Sequence, residues 1–315
     1  MTADGADTGR VRILMALYDG AQFLDDQLQS FAAQDHDVWD LTVGDDGSRD
    51  AGPDMVRAFA AAHPHHDVRL IDGPGQGPAA NFLTMLAGVE GDPDWVALSD
   101  QDDVWLSDRL SHGIKALRGV TGPALYGSAT WIVEADLSGQ RRSPLFTRPP
   151  GFRNALVQSI AGGNTMLMNR AGWQLARDAA QEALAAGGPV THDWWLYQLF
   201  AGAGARVVRD ETPTLLYRQH GGNLFGTNKG LGATLLRVRQ VLGGEMGDWT
   251  ARNGRALHAS AHRLTPGHRA VLEAFMDLRS KPAPERLRAF RDLDLYRQGR
   301  VDLVVLGLAA LMGRL

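Results

Sequence analysis

The strongest constraint on the fold is an alternation of strand and helix patterns through the first third of the chain. Val11–Leu17 is a continuous apolar run with a single arginine, which is typical of a strand buried on both faces. Further strands are predicted at residues 38–43, 68–71 and 95–98, with helices between them near residues 23–31, 55–60 and 81–89. Strands separated by helices predict βαβ units and a mostly parallel central sheet flanked by helices.

From residue 124 the predicted strands become shorter and the loops richer in Arg, Pro and Gly. We expect strands at 124–126, 131–134, 165–168, 206–208 and 214–217, and helices at 170–186 and 193–200. After about residue 231 the pattern is helical only, with breaks at Pro266, Pro282 and Pro284. The chain therefore predicts an α/β domain followed by an all-helical extension.

Composition excludes several classes of protein. The 315 residues contain no cysteine, which excludes disulfide frameworks, thiolate metal sites and cysteine nucleophiles. A net charge of −4 argues against binding nucleic acid through bulk positive charge. The apolar run 303–312 is shorter than the roughly 20 residues of a membrane span, and residues 1–9 lack the pattern of a secretory signal. We expect a cytoplasmic protein, with peripheral membrane contact left open.

The sharpest functional signal is the run Asp100-Gln101-Asp102-Asp103. It follows the buried strand predicted at residues 95–98, and open parallel sheets bind ligands beyond the carboxyl ends of their strands. Neighbouring carboxylates repel one another unless a cation or solvent offsets their charge. Carboxylate oxygens are preferred ligands of Mg²⁺ and Mn²⁺. A solvated acidic turn is the alternative, but the apolar strand before it favours a metal site.

A second acidic turn, Asp45-Asp46-Gly47-Ser48, follows the strand predicted at residues 38–43. Alone it is typical of a simple turn, because Asp, Gly and Ser favour turns. At the same sheet edge as the first run, it becomes a candidate acceptor for the N–H of a base or for ribose hydroxyls. Tyr18, just past the first strand, could stack on a base, although a half-buried tyrosine at a strand end explains it equally well.

Two later segments carry further candidate chemistry. His192-Asp193-Trp194-Trp195 opens a helix, so Asp193 is a candidate carboxylate base beside a wall of tryptophans; an acidic first turn above buried tryptophans is the alternative. His220 lies in the loop Arg218-Gln219-His220-Gly221-Gly222-Asn223, whose glycines allow the backbone to approach a ligand closely. Taken singly, a lone histidine of this kind more often has no special role.

Taken in chain order, these segments resemble the family 2 glycosyltransferases of the GT-A fold, and most closely their rhamnosyltransferase-like branch. The resemblance covers roughly residues 10–226. It rests on Tyr18-Asp19-Gly20, Asp45-Asp46-Gly47-Ser48, Ser99-Asp100-Gln101-Asp102-Asp103-Val104-Trp105, His192-Asp193-Trp194-Trp195 and Tyr217-Arg218-Gln219-His220-Gly221.

The resemblance implies an inverting, metal-dependent glycosyltransferase that moves a hexose from a nucleotide-diphosphate donor to a saccharide or glycolipid acceptor in cell-surface polysaccharide synthesis. The favoured donor is dTDP-L-rhamnose. The Q-x-x-R-W signature of processive synthases is absent, so we expect one sugar per encounter. No nucleic-acid partner is implied.

The resemblance also implies roles for individual residues. Asp102 and His220 would bind Mn²⁺ or Mg²⁺, and Asp193 would be the catalytic base. The residues implied to bind the nucleotide sugar are Ala16, Tyr18, Asp45, Asp46, Asn81, Asp100 and Gln101. Candidate contacts to the acceptor or the sugar are Asp103, Gly163, Asn164, Trp194 and Trp195. Ala16 departs from the pattern, because members of the family often carry Pro or Thr there.

On this basis the chain divides into a flexible N-terminus (1–9), a nucleotide-sugar-binding half (10–126), an acceptor-binding and catalytic half (127–228) and a C-terminal helical extension (229–315). In the extension, basic residues precede the apolar run 303–312, a pattern that could rest on an anionic membrane. These residues are Arg286, Arg288, Arg291, Arg297 and Arg300. Packing on the catalytic domain, or in a homodimer, is the alternative.

Three other functions are alternatives to this one. The first is the same reaction with a UDP-hexose donor. The second is a non-catalytic sugar-nucleotide-binding protein, which the presence of Asp102, Asp193 and His220 opposes. The third is a sugar-phosphate nucleotidyltransferase, which would need a Gly-rich loop with a basic residue after the first strand; Leu17-Tyr18-Asp19-Gly20 lacks it.

Overall fold

The computed structural model describes residues 9–221 and 245–315. Its strands are β1 (Val11–Leu17), β2 (Trp39–Asp45), β3 (Val68–Asp72), β4 (Trp95–Ser99), β5 (Val104–Trp105), β6 (Ala124–Glu134), β7 (Arg141–Arg142), β8 (Leu167–Asn169) and β9 (Arg206–Gln219). Its helices are α1 (Ala21–Ala32), α2 (Gly52–Ala62), α3 (Pro78–Ala87), α4 (Arg109–Leu117), α5 (Phe152–Ala155), α6 (Arg170–Ala185), α7 (His192–Gly202), α8 (Glu245–Ala259), α9 (Pro266–Met276), α10 (Ala283–Asp292) and α11 (Arg300–Leu311). Within the described ranges, the strands form one nine-stranded sheet in the order β3-β2-β1-β4-β8-β6-β9-β5, with β7 paired to β6.

Strands β1 to β4 form the parallel half of the sheet. Strand β1 pairs in parallel with both neighbours, with Val11 opposite Trp39 of β2 and Trp95 of β4. Its side chains alternate between two cores, Ile13 packing on one face of the sheet and Leu14 on the other. This confirms the predicted strand buried on both faces. Because the strands are parallel, the turns that follow β1, β2 and β4 meet at one edge of the sheet.

Helices cover both faces of the sheet. One core packs α1, α2 and α4 against it, and the other packs α3, α6 and α7. The second core also contains Leu257 of α8, Leu272 of α9 and Leu306 of α11. The described part of the C-terminal extension therefore packs on the α/β domain, which was one of the alternatives left open by the sequence.

Strands β6 and β9 differ from the prediction, which had two short strands in place of each. They pair in parallel along their length, with register shifts around Ser128, Ala129 and Trp131, and Pro213 lies opposite Ala129. Proline cannot donate to a ladder and is found in sheets at irregularities of this kind. The irregular pairing lets each strand continue past the break in its apolar pattern.

The extension is helical throughout its described residues, as predicted. Helix α9 begins at Pro266, and Pro282 and Pro284 lie at the start of α10, where a missing N–H costs nothing. No helix in the two described ranges has the length and apolar character needed to cross a bilayer. Most of the predicted flexible N-terminus, and the predicted boundary at residues 228 and 229, lie outside the described residues.

Candidate active site

The turn after β4 brings carboxylates together at the carboxyl edge of the sheet. One oxygen each from Asp100, Asp102 and Asp103 lies within 4.8 Å of the others. Burial, with repulsion from Asp102 and Asp193, raises the pKa of Asp100 to about 8. Burial, with repulsion from the other two carboxylates of the turn, also raises the pKa of Asp103 well above its usual range. Either protons or a cation must offset this crowding.

His220 reaches the same turn from the end of β9. Its Nε2 lies 2.7 Å from Oδ2 of Asp102, although the two residues are 118 positions apart in the chain. The imidazole also contacts the ring of Phe23 in α1, with 4.7 Å between the ring centroids. The two residues implied by the resemblance to bind a metal are therefore adjacent, and both are partly accessible to solvent.

Arg218 fastens the acidic turn to its surroundings, a role that sequence reasoning missed. Its side chain is 3 % exposed and forms an ion pair of 2.6 Å with Asp26 of α1. The guanidinium donates to the main-chain oxygens of Asp102, at 2.9 Å, and Ala135, at 2.5 Å. Its backbone N–H donates to Oδ1 of Asp103 at 3.1 Å. Proximity to His220 in the sequence was the only available signal for this residue.

Asp103 and Asn164 are buried supports of the turn, which corrects their expected contact with an acceptor. Asp103 is 0 % and Asn164 2 % exposed, and the Asn164 side chain donates to Oδ2 of Asp103. Arg109 donates to the main-chain oxygen of Asn164 at 2.8 Å, and its guanidinium lies 3.7 Å above the ring of Trp105. Burial lowers the pKa of Arg109 to about 9, an effect that Tyr126 and Asp103 oppose.

The side chain of Gln101 ties the acidic turn to the end of β1. The Tyr18 N–H donates to Oε1 of Gln101 at 2.7 Å, and Nε2 of Gln101 donates to the Tyr18 carbonyl at 2.9 Å. The amide of Gln101 is therefore engaged within the protein. Tyr18 itself is 57 % exposed, so its ring presents the open face that stacking on a base requires.

The turn after β2 has a different set of partners. The carboxylate of Asp46 accepts the N–H of Gly75 at 2.7 Å and that of Gly77 at 2.6 Å, one on each oxygen. Oδ1 of Asp45 accepts the N–H of Ser48 at 3.0 Å. Both carboxylates stabilise local backbone, and each oxygen retains capacity to accept a further hydrogen bond.

Asn81 and Ala16 lie beneath this edge. Asn81 is 1 % exposed, and its Nδ2 donates to the carbonyl of Gly44 in β2 at 2.6 Å. Its Oδ1 has no hydrogen-bond partner among the described residues. Ala16 pairs with Gly44 in the ladder between β1 and β2. Asn81 therefore holds α3 against β2 and approaches the edge from below.

Asp193 faces the acidic turn from the first turn of α7. The hydroxyl of Ser159 donates to its Oδ2 at 3.2 Å, and the carboxylate is partly exposed. Its charge contributes to the raised pKa of Asp100, which places the two carboxylates in one electrostatic environment. A carboxylate from a separate helix thus lies opposite the cluster on β4.

Trp194 and Trp195 do not form an open platform, which corrects the expectation of sugar contacts. Trp195 is 0 % exposed and belongs to the hydrophobic core. Trp194 is 7 % exposed, and its indole N–H donates to the carbonyl of Ala155 at 2.6 Å. The two side chains hold α7 in place, as in the alternative reading of buried tryptophans.

His192 and Gly163 set the position of the first turn of α7. The imidazole packs on Phe82, with 3.9 Å between the ring centroids, and burial lowers its pKa to about 4 against the opposing charge of Asp193. A Cβ added to Gly163 would lie 2.0 Å from Nε2 of His192. Gly163 is therefore a site of close approach beneath the histidine, and its contact with an acceptor stays a prediction.

Comparison with known proteins agrees with this geometry. Residues 12–171 match the model of a family described as glycosyl transferase family 2. The dTDP-rhamnosyl transferase RfbG of Shigella flexneri is 25% identical over 243 residues, which cover 72% of this chain and 78% of that protein. A solved structure of TarS 1–349 from S. aureus in complex with UDP-GlcNAc superposes with a TM-score of 0.56 at 15% identity, covering 90% of this chain and 80% of that chain. The latter likeness is one of fold, and it confirms the predicted GT-A architecture.

Proposed function

Because the chain belongs to glycosyl transferase family 2, we propose that it is an inverting, metal-dependent enzyme that transfers L-rhamnose from dTDP-rhamnose to a saccharide or glycolipid acceptor. The single observation that carries the proposal is the convergence of Asp102 and His220 at 2.7 Å beside a turn that also feels the charge of Asp193. The rhamnosyl donor is supported by the relative from Shigella flexneri. The product enters cell-surface polysaccharide.

The residues at the turn fit a divalent cation. Burial and the neighbouring carboxylates raise the pKa of Asp100 to about 8. A bound cation would offset the same repulsion and let the carboxylates stay ionised. Asp102 and His220 would hold the ion, and a carboxylate oxygen with one imidazole nitrogen suits Mn²⁺ better than Mg²⁺, which prefers oxygen alone. A bound ion would offset the charge that develops on the departing diphosphate.

The donor lies along the edge between the two acidic turns. The exposed ring of Tyr18 stacks on the base, and Gln101 fixes the backbone of Tyr18 relative to the acidic turn through two hydrogen bonds. Asp45 and Asp46 accept hydrogen bonds from the base or ribose with the lone pairs that the loop amides leave unused. Ala16, Asn81 and Asp100 complete the donor side, the first two from beneath the edge.

Asp193 removes the proton from the acceptor hydroxyl. An alcohol is too weak an acid to lose its proton unaided, and a carboxylate can accept it as the glycosidic bond forms. Asp193 lies in the first turn of α7, where the positive end of the helix dipole attracts a carboxylate, and the Ser159 hydroxyl holds one of its oxygens. One base is sufficient for an inverting displacement, in which the acceptor attacks from the face opposite the diphosphate.

A nucleoside-diphosphate release assay with a panel of donors tests the proposal. We expect turnover with dTDP-rhamnose that Mn²⁺ supports and EDTA abolishes. Turnover with a UDP-hexose alone would select the alternative donor, and full activity in EDTA would contradict the metal site. Donor binding without any glycoside product, across acceptors, would identify a non-catalytic sugar-nucleotide-binding protein.

We also propose that the acceptor is lipid-linked and that α11 rests on an anionic membrane surface. An exposed apolar stripe runs along the helix and just beyond it, formed by Val301, Val304, Leu308, Leu311 and Met312. Residues 281–315 carry seven basic and four acidic side chains, whereas the whole chain has a net charge of −4. Apolar residues beside basic ones are the pattern of helices that lie in a membrane interface.

Co-sedimentation with liposomes tests this surface. The intact chain should sediment with anionic vesicles and much less with neutral ones. Val304→Glu with Leu308→Glu should abolish sedimentation, while Leu145→Glu, at an exposed leucine outside α11, should leave it unchanged. Equal sedimentation of all variants contradicts the membrane role, and a dimer in solution that only the α11 variant dissociates would identify the stripe as a homodimer contact.

A further inference from the structure

A second group of metal-binding side chains lies at the opposite edge of the sheet, where β2 and β3 begin. Asp37 lies just before β2, and His65 and His66 lie just before β3. One carboxylate oxygen and one nitrogen from each imidazole lie within 4.8 Å of one another. None of these side chains takes part in the proposed glycosyl transfer.

His66 has the environment of a metal-binding histidine. Its side chain is 4 % exposed, and its ring stacks on Trp39 with 3.5 Å between centroids and 10° between planes. Nδ1 lies 2.9 Å from the carbonyl oxygen of Trp39, which can only accept, so Nδ1 carries the proton. Metal-bound histidines are commonly oriented by such a bond from the other ring nitrogen. The lone pair of the neutral ring is therefore on Nε2.

The lone pair on Nε2 of His66 faces a carboxylate oxygen of Asp37, which is also a hydrogen-bond acceptor. Nε2 of His66 lies 3.5 Å from Oδ1 of Asp37. Zinc ligands lie about 2.0–2.1 Å from the ion, so two ligands of a tetrahedral site are about 3.3–3.4 Å apart. The observed separation is close to one edge of such a tetrahedron. His65 supplies the third ligand beside it, with 4.2 Å between the two imidazole centroids.

We propose that Asp37, His65 and His66 bind a structural Zn²⁺ ion, with water as the fourth ligand. A set with two imidazoles favours zinc over Mg²⁺ and Mn²⁺, in contrast to the carboxylate-rich turn after β4. The ion would join the segment before β2 to the segment before β3. His63 lies outside the set, because it does not belong to the group of ligand atoms that lie within 4.8 Å of one another.

Zinc binding by the full chain without an affinity tag tests the proposal. Calorimetry should give one Zn²⁺ per chain in the presence of saturating Mn²⁺, with a zinc-dependent rise in Tm. His65→Ala and Asp37→Asn should each weaken zinc binding more than about 10-fold, the lower bound seen even for outer-shell partners. Both replaced residues are exposed, so the fold should tolerate these changes.

Two variants are the controls. His63→Ala removes a neighbouring histidine, and Asp102→Asn alters the acidic turn after β4. Both should keep the zinc affinity of the unmodified chain. Loss of zinc binding in Asp102→Asn alone, or equal binding in His65→Ala and the unmodified chain, would overturn the site. Glycosyl transfer measured in Mn²⁺ should be unchanged in His65→Ala, which separates this proposal from the catalytic one.

Discussion

The turns after β2 and β4 are both rich in aspartate, yet their carboxylates have different partners. In the turn after β2, Asp46 accepts two backbone N–H groups from the loop that contains Gly75 and Gly77. In the turn after β4, the carboxylates face one another, and burial with repulsion raises the pKa of Asp100 to about 8. Backbone donors stabilise the first turn, whereas in the second a proton or a cation must offset the repulsion between the carboxylates.

The contrast shows that acidic composition alone does not identify a cation site. What differs is the supply of N–H donors: Gly75 and Gly77 donate to Asp46, whereas no backbone N–H of the described residues donates to the carboxylate of Asp100. The turn after β4 is instead held by two side chains that donate to it from behind. Arg218 donates to the main-chain oxygen of Asp102, and Asn164 donates to the carboxylate of Asp103. Its remaining carboxylate oxygens are thus available to a ligand.

The largest expected effect is that of Asp102→Asn. Loss of the proposed metal ligand should reduce kcat/KM by at least roughly 10³-fold, since a catalytic cation supplies several kcal/mol and each 1.36 kcal/mol is a factor of ten. The Tm of the metal-free protein should not fall, because one of the repelling charges is removed. Diphosphate release measures kcat/KM, thermal unfolding measures the Tm, and Mn²⁺ titration compares the metal affinity with that of Asp46→Asn as the matched control. Normal Mn²⁺ dependence in Asp102→Asn would contradict the assignment.

Asp193→Asn tests the carboxylate that faces the second turn. The change keeps the shape and removes the basicity, so kcat should fall by roughly 10²–10⁴-fold while donor affinity in Mn²⁺ stays nearly constant. Ser159→Ala, which removes only the hydroxyl 3.2 Å from Asp193, should have a much smaller effect. Steady-state kinetics with a donor-binding measurement decide, and unchanged turnover would place the base elsewhere.

The pH dependence of stability should separate the two turns directly. The pKa of Asp100 is about 8 in the folded protein and ordinary, about 3.9, in the unfolded chain. Between these values the folded state holds a proton that the unfolded chain has released, so the stability of the metal-free protein falls as pH rises, by at most about 1.4 kcal/mol per unit. Urea denaturation of Asp100→Asn should show a flatter profile, and an identical slope would contradict the shift.

Of these variants Asp46→Asn should affect the metal site least, and its effect, apart from any weaker donor binding, should be on stability. The new amide nitrogen faces one of the two glycine N–H groups and loses that hydrogen bond, which should lower the free energy of unfolding by about 1–2 kcal/mol. Mn²⁺ affinity should not change. Asp54→Asn, on the exposed surface of α2, is the control in the same urea titrations. A loss of Mn²⁺ affinity in Asp46→Asn would contradict the distinction between the two turns.

Local patterns were sufficient to predict the parallel half of the sheet and the meeting of the acidic turns at its edge. They were insufficient for β6 and β9, because Pro213 breaks the apolar period while an irregular pairing carries the strand past it. Burial of Trp195 depends on helices that pack from distant parts of the chain. Arg218 could not be assigned because its partner Asp26 lies 192 positions away. The catalytic roles of Asp102, Asp193 and His220 stay predictions.

Strand β5 has one neighbour among the described strands, β9, with Val104 opposite Leu216. During synthesis the acidic turn emerges 118 residues before His220, an interval of roughly 6–24 s at about 5–20 residues per second. Once β6 has been translated, the edge that pairs with β9 lacks its partner until β9 follows, and an unpaired edge invites pairing with other chains. The turn that carries Asp102 therefore leaves the ribosome well before His220, and the two side chains can meet only after β9 has been translated.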